Sequence, residues 1–211
     1  LSAGLLVCLF SSISAAQADS AWHVYRERFV NAEGRVIDTG NHNISHSEGQ
    51  GWGMMLAQHY NDQKTFDQIW RWTRRHLNRP DVSLFSWRYD PRDDLFIAWA
   101  LYLAAERWDN ANYASASKSI RSAILENLTY EVAGFQVLLP GIEGFRRNEG
   151  ADLNLSYWFI PALQDFAEIE PNESWDRLIN DGVKLLDQAR FGAYLLPTDW
   201  VQITQEGELS P

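Results

Sequence analysis

Cysteine is all but missing from this chain of 211 residues. Cys8 stands alone, so no internal disulfide can staple the fold. Basic side chains are scarce as well: 18 Lys and Arg face 28 Asp and Glu, for a formal charge of −10. That balance argues against nucleic acid or an anionic membrane as partner, and it suits a neutral or cationic ligand. No apolar run reaches the roughly 20 residues that span a bilayer, so no membrane span is expected once the leading segment is removed.

Charge of either sign is absent from Leu1 to Ala18. Within that stretch Leu5–Phe10 forms an apolar centre and Ala16-Gln17-Ala18 supplies a small-x-small cleavage pattern. Together they predict a signal peptide over residues 1–18. A basic leading region and an initiator Met are lacking, so the start is read as clipped. Val7 ahead of Cys8 is unlike the small residue of a lipoprotein site. The expectation is export, to a periplasmic or secreted location, with residues 19–211 forming one cysteine-free domain.

What the chain has in quantity is aromatic side chains: ten Trp, eight Tyr and ten Phe. Aromatic faces stack on the C–H faces of sugars, and they equally fill cores. The stretch around which the rest is organised is Ser45-His46-Ser47-Glu48-Gly49-Gln50-Gly51-Trp52-Gly53. Each glycine costs a helix interior about 1 kcal/mol against Ala, yet the helical run Met54-Met55-Leu56-Ala57 follows. Such glycines persist where backbone or ligand must come close. Ser47-x-x-Gln50 fits a capping box, which places Glu48 at a helix entrance, raised toward a cavity. A Glu there is also favoured by the helix dipole alone.

The run from His46 to Met54 resembles the hallmark of glycoside hydrolase family 8, in particular the bacterial endoglucanases that accompany cellulose synthesis. The resemblance implies that Glu48 is the general acid. Further stretches are similar to the family. Ser83–Pro91 matches a segment whose Trp platforms a glucosyl ring, which implies Trp87, with Arg88 beside it. Asp93–Leu101 matches a helix-opening signature in which Asp94 takes the place of the second Asp. Arg92 stands where the first, sugar-binding Asp is expected, and the connection before it is short. Asn154-Leu155-Ser156-Tyr157 matches Asn-Pro-Ser-Tyr, implying that Tyr157 lies close to the catalytic centre. Leu138–Phe145 and Leu196–Val201 match as well. The general base of the family lies in a continuation with no counterpart here, leaving Asp38, Asp152 and Asp199 as loop-borne carboxylates without a motif. His42 and His46 are four apart, a weak metal pattern lacking a third ligand.

Periodicity predicts about seven helices. The first carries Trp22, Tyr25 and Phe29 and ends near Gly34. Another is capped by Asp62 with an inner stripe of Phe66, Ile69, Trp70, Thr73 and Leu77, ended by Pro80. One begins at Asp109 or Asn110, and one at Asn172 or Ser174 that Gly192 closes. Gly134–Leu139 is the best strand candidate. The resemblance implies an all-α domain of the (α/α)6 type lacking its C-terminal helices, and inverting endo-hydrolysis of β-1,4-glucan. No cofactor and no metal is expected. The implied partners are β-1,4-glucan and the cellulose-synthesis machinery. Two other classes stay open: a glycan-binding protein without a base, and a helical scaffold whose aromatics are all core.

Overall fold

The computed structural model describes residues 15–86, 94–171 and 173–211. Seven α-helices dominate them: α1 (Ala15–Phe29), α2 (Ser47–His59), α3 (Gln63–His76), α4 (Asp94–Trp108), α5 (Ala111–Asn127), α6 (Ile160–Ile169) and α7 (Glu173–Gln188). The predicted caps act. The Asp62 side chain accepts the Thr65 N–H at 3.0 Å, and that of Asn110 accepts the N–H groups of Asn112 and Tyr113. On α3 the residues Phe66, Ile69, Trp70 and Thr73 are all buried, as their spacing predicts.

Short connectors fold α2 on α3 and α4 on α5, and α6 packs on α7. The hairpins join through α2 against α4 and α4 against α6. Gly51 near the start of α2 meets Phe96 near the start of α4, and Gln58 Nε2 reaches the Leu103 carbonyl further along both. The two helices therefore run parallel, and their N-terminal ends share one end of the molecule.

The expectation of an all-α chain is too narrow. Short antiparallel strands lie between the helices: β1 (Asn78–Arg79) with β2 (Leu84–Phe85), and β3 (Thr129–Val132) with β4 (Phe135–Leu138). A four-stranded sheet joins β5 (Arg146–Arg147), β6 (Gly150–Asn154), β9 (Trp200–Thr204) and β10 (Leu209–Ser210) in the order β10-β9-β6-β5. The hairpin of β7 (Arg190–Phe191) and β8 (Leu196–Pro197) completes the set. Only β4 coincides with the strand expected from sequence. In β9 the buried Val201 and Ile203 alternate with exposed Trp200 and Gln202, a period-two pattern.

Three boundaries also differ. α1 stops at Phe29, Val30 bridging to Val36, and Gly34 sits in the intervening turn at φ +89°, where an added Cβ would stand 2.1 Å from the Gln68 carbonyl oxygen. α7 stops at Gln188, and Gly192, at φ +71°, serves the β7–β8 turn instead. Val183 and Leu186 of that helix are exposed. Trp22 is buried, stacked between Tyr25 and Tyr60, with its Nε1–H donated to Asp62. Among the described residues no helix is long and apolar enough to cross a membrane.

Candidate active site

Glu48 lies in the first turn of α2, half-buried, at the helix entrance that the sequence predicts. The cap differs from the expected Ser47/Gln50 box. His46 is the N-cap: its Nδ1 accepts the Gly49 N–H at 3.0 Å, and its Nε2 faces Asp38 Oδ2 at 3.3 Å. An Nδ1 that accepts carries no proton, so the neutral ring is the Nε2–H tautomer, donating to Asp38. Asp38 also accepts the Gly40 N–H at 3.0 Å.

Gln50 turns inward instead of back toward the cap. Its Oε1 accepts the Val36 N–H at 2.6 Å, and its Nε2 donates to the Gly34 carbonyl at 3.2 Å and to Thr73 Oγ1 at 2.9 Å. One fully buried amide thus ties the 34–36 loop and α3 to the helix that carries Glu48. The glycines answer to packing. A Cβ on Gly51 would stand 2.8 Å from Phe96 Cβ, and one on Gly53 2.8 Å from Val36 Cγ2. Each lets a neighbouring element press on the α2 backbone.

Trp52, one turn after Glu48, is 41% exposed and packs on Phe96 with ring centroids 4.6 Å apart. The spacing i, i+4 puts both residues on one face of α2. Trp52 borders a cleft of 360 Å³ whose other walls include Tyr25, Phe29, Asp38 and His46. Phe96 borders a narrower cleft of about 30 Å³, which Asp94 and Tyr157 also line. The Trp52–Phe96 pair therefore stands between two depressions at the paired helix ends.

Of the site residues expected from sequence, Asp94 and Tyr157 are thus brought together. Asp94 is 1% exposed, and its Oδ1 accepts the Phe85 N–H at 2.7 Å, fixing β2 to the start of α4. Tyr157 is half-buried in a single 3-10 turn capped by Asn154, and it meets Trp200 edge-on at 6.3 Å. Trp200, 41% exposed, also stacks on Phe145 at 16° between planes. Leu155 donates its N–H to the Asp199 carbonyl at 2.8 Å, a bond no proline could make at this position. Trp87, Arg88, Arg92 and Asp93 lie outside the described residues.

Of the carboxylates weighed as a base, Asp152 lies in strand β6 and not in a loop. Asp38 is engaged by His46 and Gly40. Asp152 accepts from Arg147 and from Gln202 Nε2 at 3.1 Å. Asp199 is exposed, beside Trp200. His42 occupies a turn at φ +52°, so its spacing from His46 is not helical. Among the described residues no group of three His, Cys, Asp or Glu could hold a metal.

Sequence reasoning assigned no role to Trp52, Phe96, Trp200 or the Asp38–His46 pair. The i, i+4 relation of Trp52 to Glu48 was the available signal for the first of these. The others depend on contacts between distant segments.

The chain belongs to glycosyl hydrolases family 8, whose model matches residues 1–211. It is 40% identical to an endoglucanase of Cellulomonas uda over 212 residues, covering 94% of this chain and 59% of that one. It is 34% identical to a probable endoglucanase of Novacetimonas hansenii, covering 87% of this chain and 58% of that one. The solved structure of a family 8 endo-β-1,4-glucanase from an Achatina fulica gut metagenomic library superposes with a TM-score of 0.90 at 39% identity. That match covers 94% of this chain and 67% of the other. The chain thus spans about three-fifths of the length of these two curated relatives.

Proposed function

We propose that this chain carries the proton-donor side of an endo-acting β-1,4-glucan hydrolase, with Glu48 as general acid. One observation carries the reading: a carboxyl in the first turn of α2, on a helix start held by His46 and Gln50, with exposed Trp52 on the same face. Its helix pairs belong to a toroid of the (α/α)6 type, a reading supported by the family 8 neighbour at TM-score 0.90.

The glycosidic oxygen leaves poorly as an alkoxide, so a donor must protonate it as the C1–O bond breaks. In the inverting mode a second carboxylate takes a proton from a water that attacks C1 from the opposite face, about 6.5–9.5 Å from the donor. Asp38 and Asp152 are committed to His46 and Arg147, so neither is assigned as that base. Trp52 and Trp200 offer ring faces to the C–H faces of glucosyl units, while Asp94 and Tyr157 shape the cleft beside Phe96. Residues 1–18 serve as an export signal to the periplasm or beyond, a reading supported by their lack of charge. Action beside the cellulose-synthesis machinery rests on the likeness of the His46–Met54 motif to endoglucanases of that setting.

The test is Glu48→Gln. Release of reducing ends from carboxymethylcellulose falls by about 10²–10⁴-fold, while mobility in a glucan-containing affinity gel is unchanged. Wild-type turnover in this variant removes Glu48 from the role.

A further inference from the structure

A separate cleft of 550 Å³ opens between α3, α5 and the β1–β2 hairpin, and it shares no lining residue with the depressions beside Trp52 and Phe96. Its rim is cationic in a protein whose net charge is −10. Arg71, Arg74 and Arg75 follow the i, i+3, i+4 spacing of one helical stripe, and Asn78, in β1 just past the helix end, lines the same cleft. No acidic residue is among the described residues that line it.

The three guanidinium groups are exposed and make no ion pair with a described residue. The contrast with Arg79 is direct, since that side chain reaches both Asp81 at 3.9 Å and Glu143 at 3.8 Å. Arg74 lies over the Trp70 ring, 5.5 Å from its centroid, which anchors the group while leaving its in-plane N–H donors open. The dipole at the end of α3 favours Arg74 and Arg75 in the last turn. It does not account for Arg71, one turn earlier on the same stripe.

The remaining walls select among anions. Asn78, Ser83 and Ser119 add neutral hydrogen-bonding groups around the guanidinium stripe, over a floor of buried Trp70, Phe85 and Ile120. Ser119 gives its hydroxyl proton to the Ser115 carbonyl at 3.1 Å, which leaves its oxygen free to accept. A simple ion would fill a small part of a 550 Å³ space, which falls in the range of organic-ligand sites. A polyol bearing carboxylates satisfies both the cations and the amide and hydroxyl groups. Overall negative charge repels long polyanions, so a short chain fits better than a polymer. We propose that this cleft is a binding site for short acidic saccharides, distinct from the glucan cleft and independent of the role given to Glu48.

Titration calorimetry with trigalacturonate tests it, with cellotriose and inorganic phosphate as comparison ligands. At an ionic strength of about 0.02 M trigalacturonate binds, and binding weakens toward about 0.15 M as the screening length shortens. The double variant Arg71→Gln/Arg75→Gln, whose changed side chains hold no described partner, melts like wild type and binds trigalacturonate about tenfold or more weakly. Ser119→Glu, which places a carboxylate in the opposite wall, weakens it similarly by like-charge repulsion. Cellotriose affinity at the glucan cleft is unchanged in both variants. The proposal is overturned if trigalacturonate gives no binding heat at low salt, if the double variant binds it undiminished, or if phosphate binds equally well.

Discussion

Gly51 of α2 and Phe96 of α4 touch through backbone and Cβ: a methyl on Gly51 would stand 2.8 Å from Phe96 Cβ and 3.5 Å from the Ile97 nitrogen. The helix that presents Glu48 and Trp52 therefore lies directly against the helix opened by Asp94. This contact sets the spacing of the two depressions on either side of the Trp52–Phe96 pair.

Gly51→Ala is expected to destabilise the fold although alanine is the better helix former. Propensity favours the change by about 1 kcal/mol, and overpacking at a rigid Cβ opposes it by about 1–3 kcal/mol. A Cβ on Gly49 has the His46 ring as its nearest neighbour, at 3.4–3.7 Å, so Gly49→Ala should leave stability equal or higher. Urea unfolding of the two variants compares them; equal midpoints would show that the α2–α4 contact yields freely.

His46→Ala should cost about 0.5–2 kcal/mol through loss of the N-cap, and it also releases Asp38. His46→Asn keeps an acceptor for the Gly49 N–H and should recover most of the stability. It does not restore the Nε2 contact to Asp38. A positioning role for that contact predicts that turnover stays low in the Asn variant while the melting temperature returns. If activity and stability recover together, the pair serves the cap alone.

The helices were legible because each announces itself locally. Asp62 and Asn110 cap, and Phe66, Ile69, Trp70 and Thr73 fall on one face. Glu48 was legible for the same reason, as a helix-entrance residue inside a specific motif. The sheet was not, because β6 pairs with β9 across the whole of α6 and α7, and strands of two to five residues carry little pattern of their own. The Gln50 anchors were missed because a glutamine three positions after a serine reads as a capping partner. Only the tertiary fold brings Val36, Gly34 and Thr73 within its reach.

Asp62 joins α1 to α3, accepting from Thr65, Arg26 and Trp22. Burial alone would push its carboxyl up, but the Thr65 side chain and backbone, then Arg26 and Trp22, outweigh it and hold the value below the ordinary one. The unfolded chain therefore binds this proton more tightly than the folded one. The stability Asp62 contributes is present above the unfolded value, about 3.9, and is lost as pH falls through the lowered folded value. Asp62→Asn, which still caps α3, should flatten the acid limb of a stability–pH curve while losing stability at neutral pH. An unchanged slope below pH of about 4 would show that other carboxylates govern acid unfolding.

Exposure divides the tryptophans into those open to a ligand and those closed within the core. Trp175 is fully buried against Phe166 at 5.3 Å, whereas Trp52 and Trp200 are each 41% exposed, Trp52 lining a cleft and Trp200 meeting the cleft residue Tyr157. Trp175→Ala should cost about 3–5 kcal/mol of stability. Trp52→Ala removes one aromatic partner from Phe96, a loss of about 0.5–1.5 kcal/mol, and should weaken cello-oligosaccharide binding by about tenfold, or 1.4 kcal/mol. Trp200→Ala should behave like Trp52→Ala, with added loosening of Tyr157 and Phe145. Calorimetric titration beside thermal melting distinguishes the two classes. Unchanged affinity in both exposed-site variants would move their rings from sugar platforms to packing.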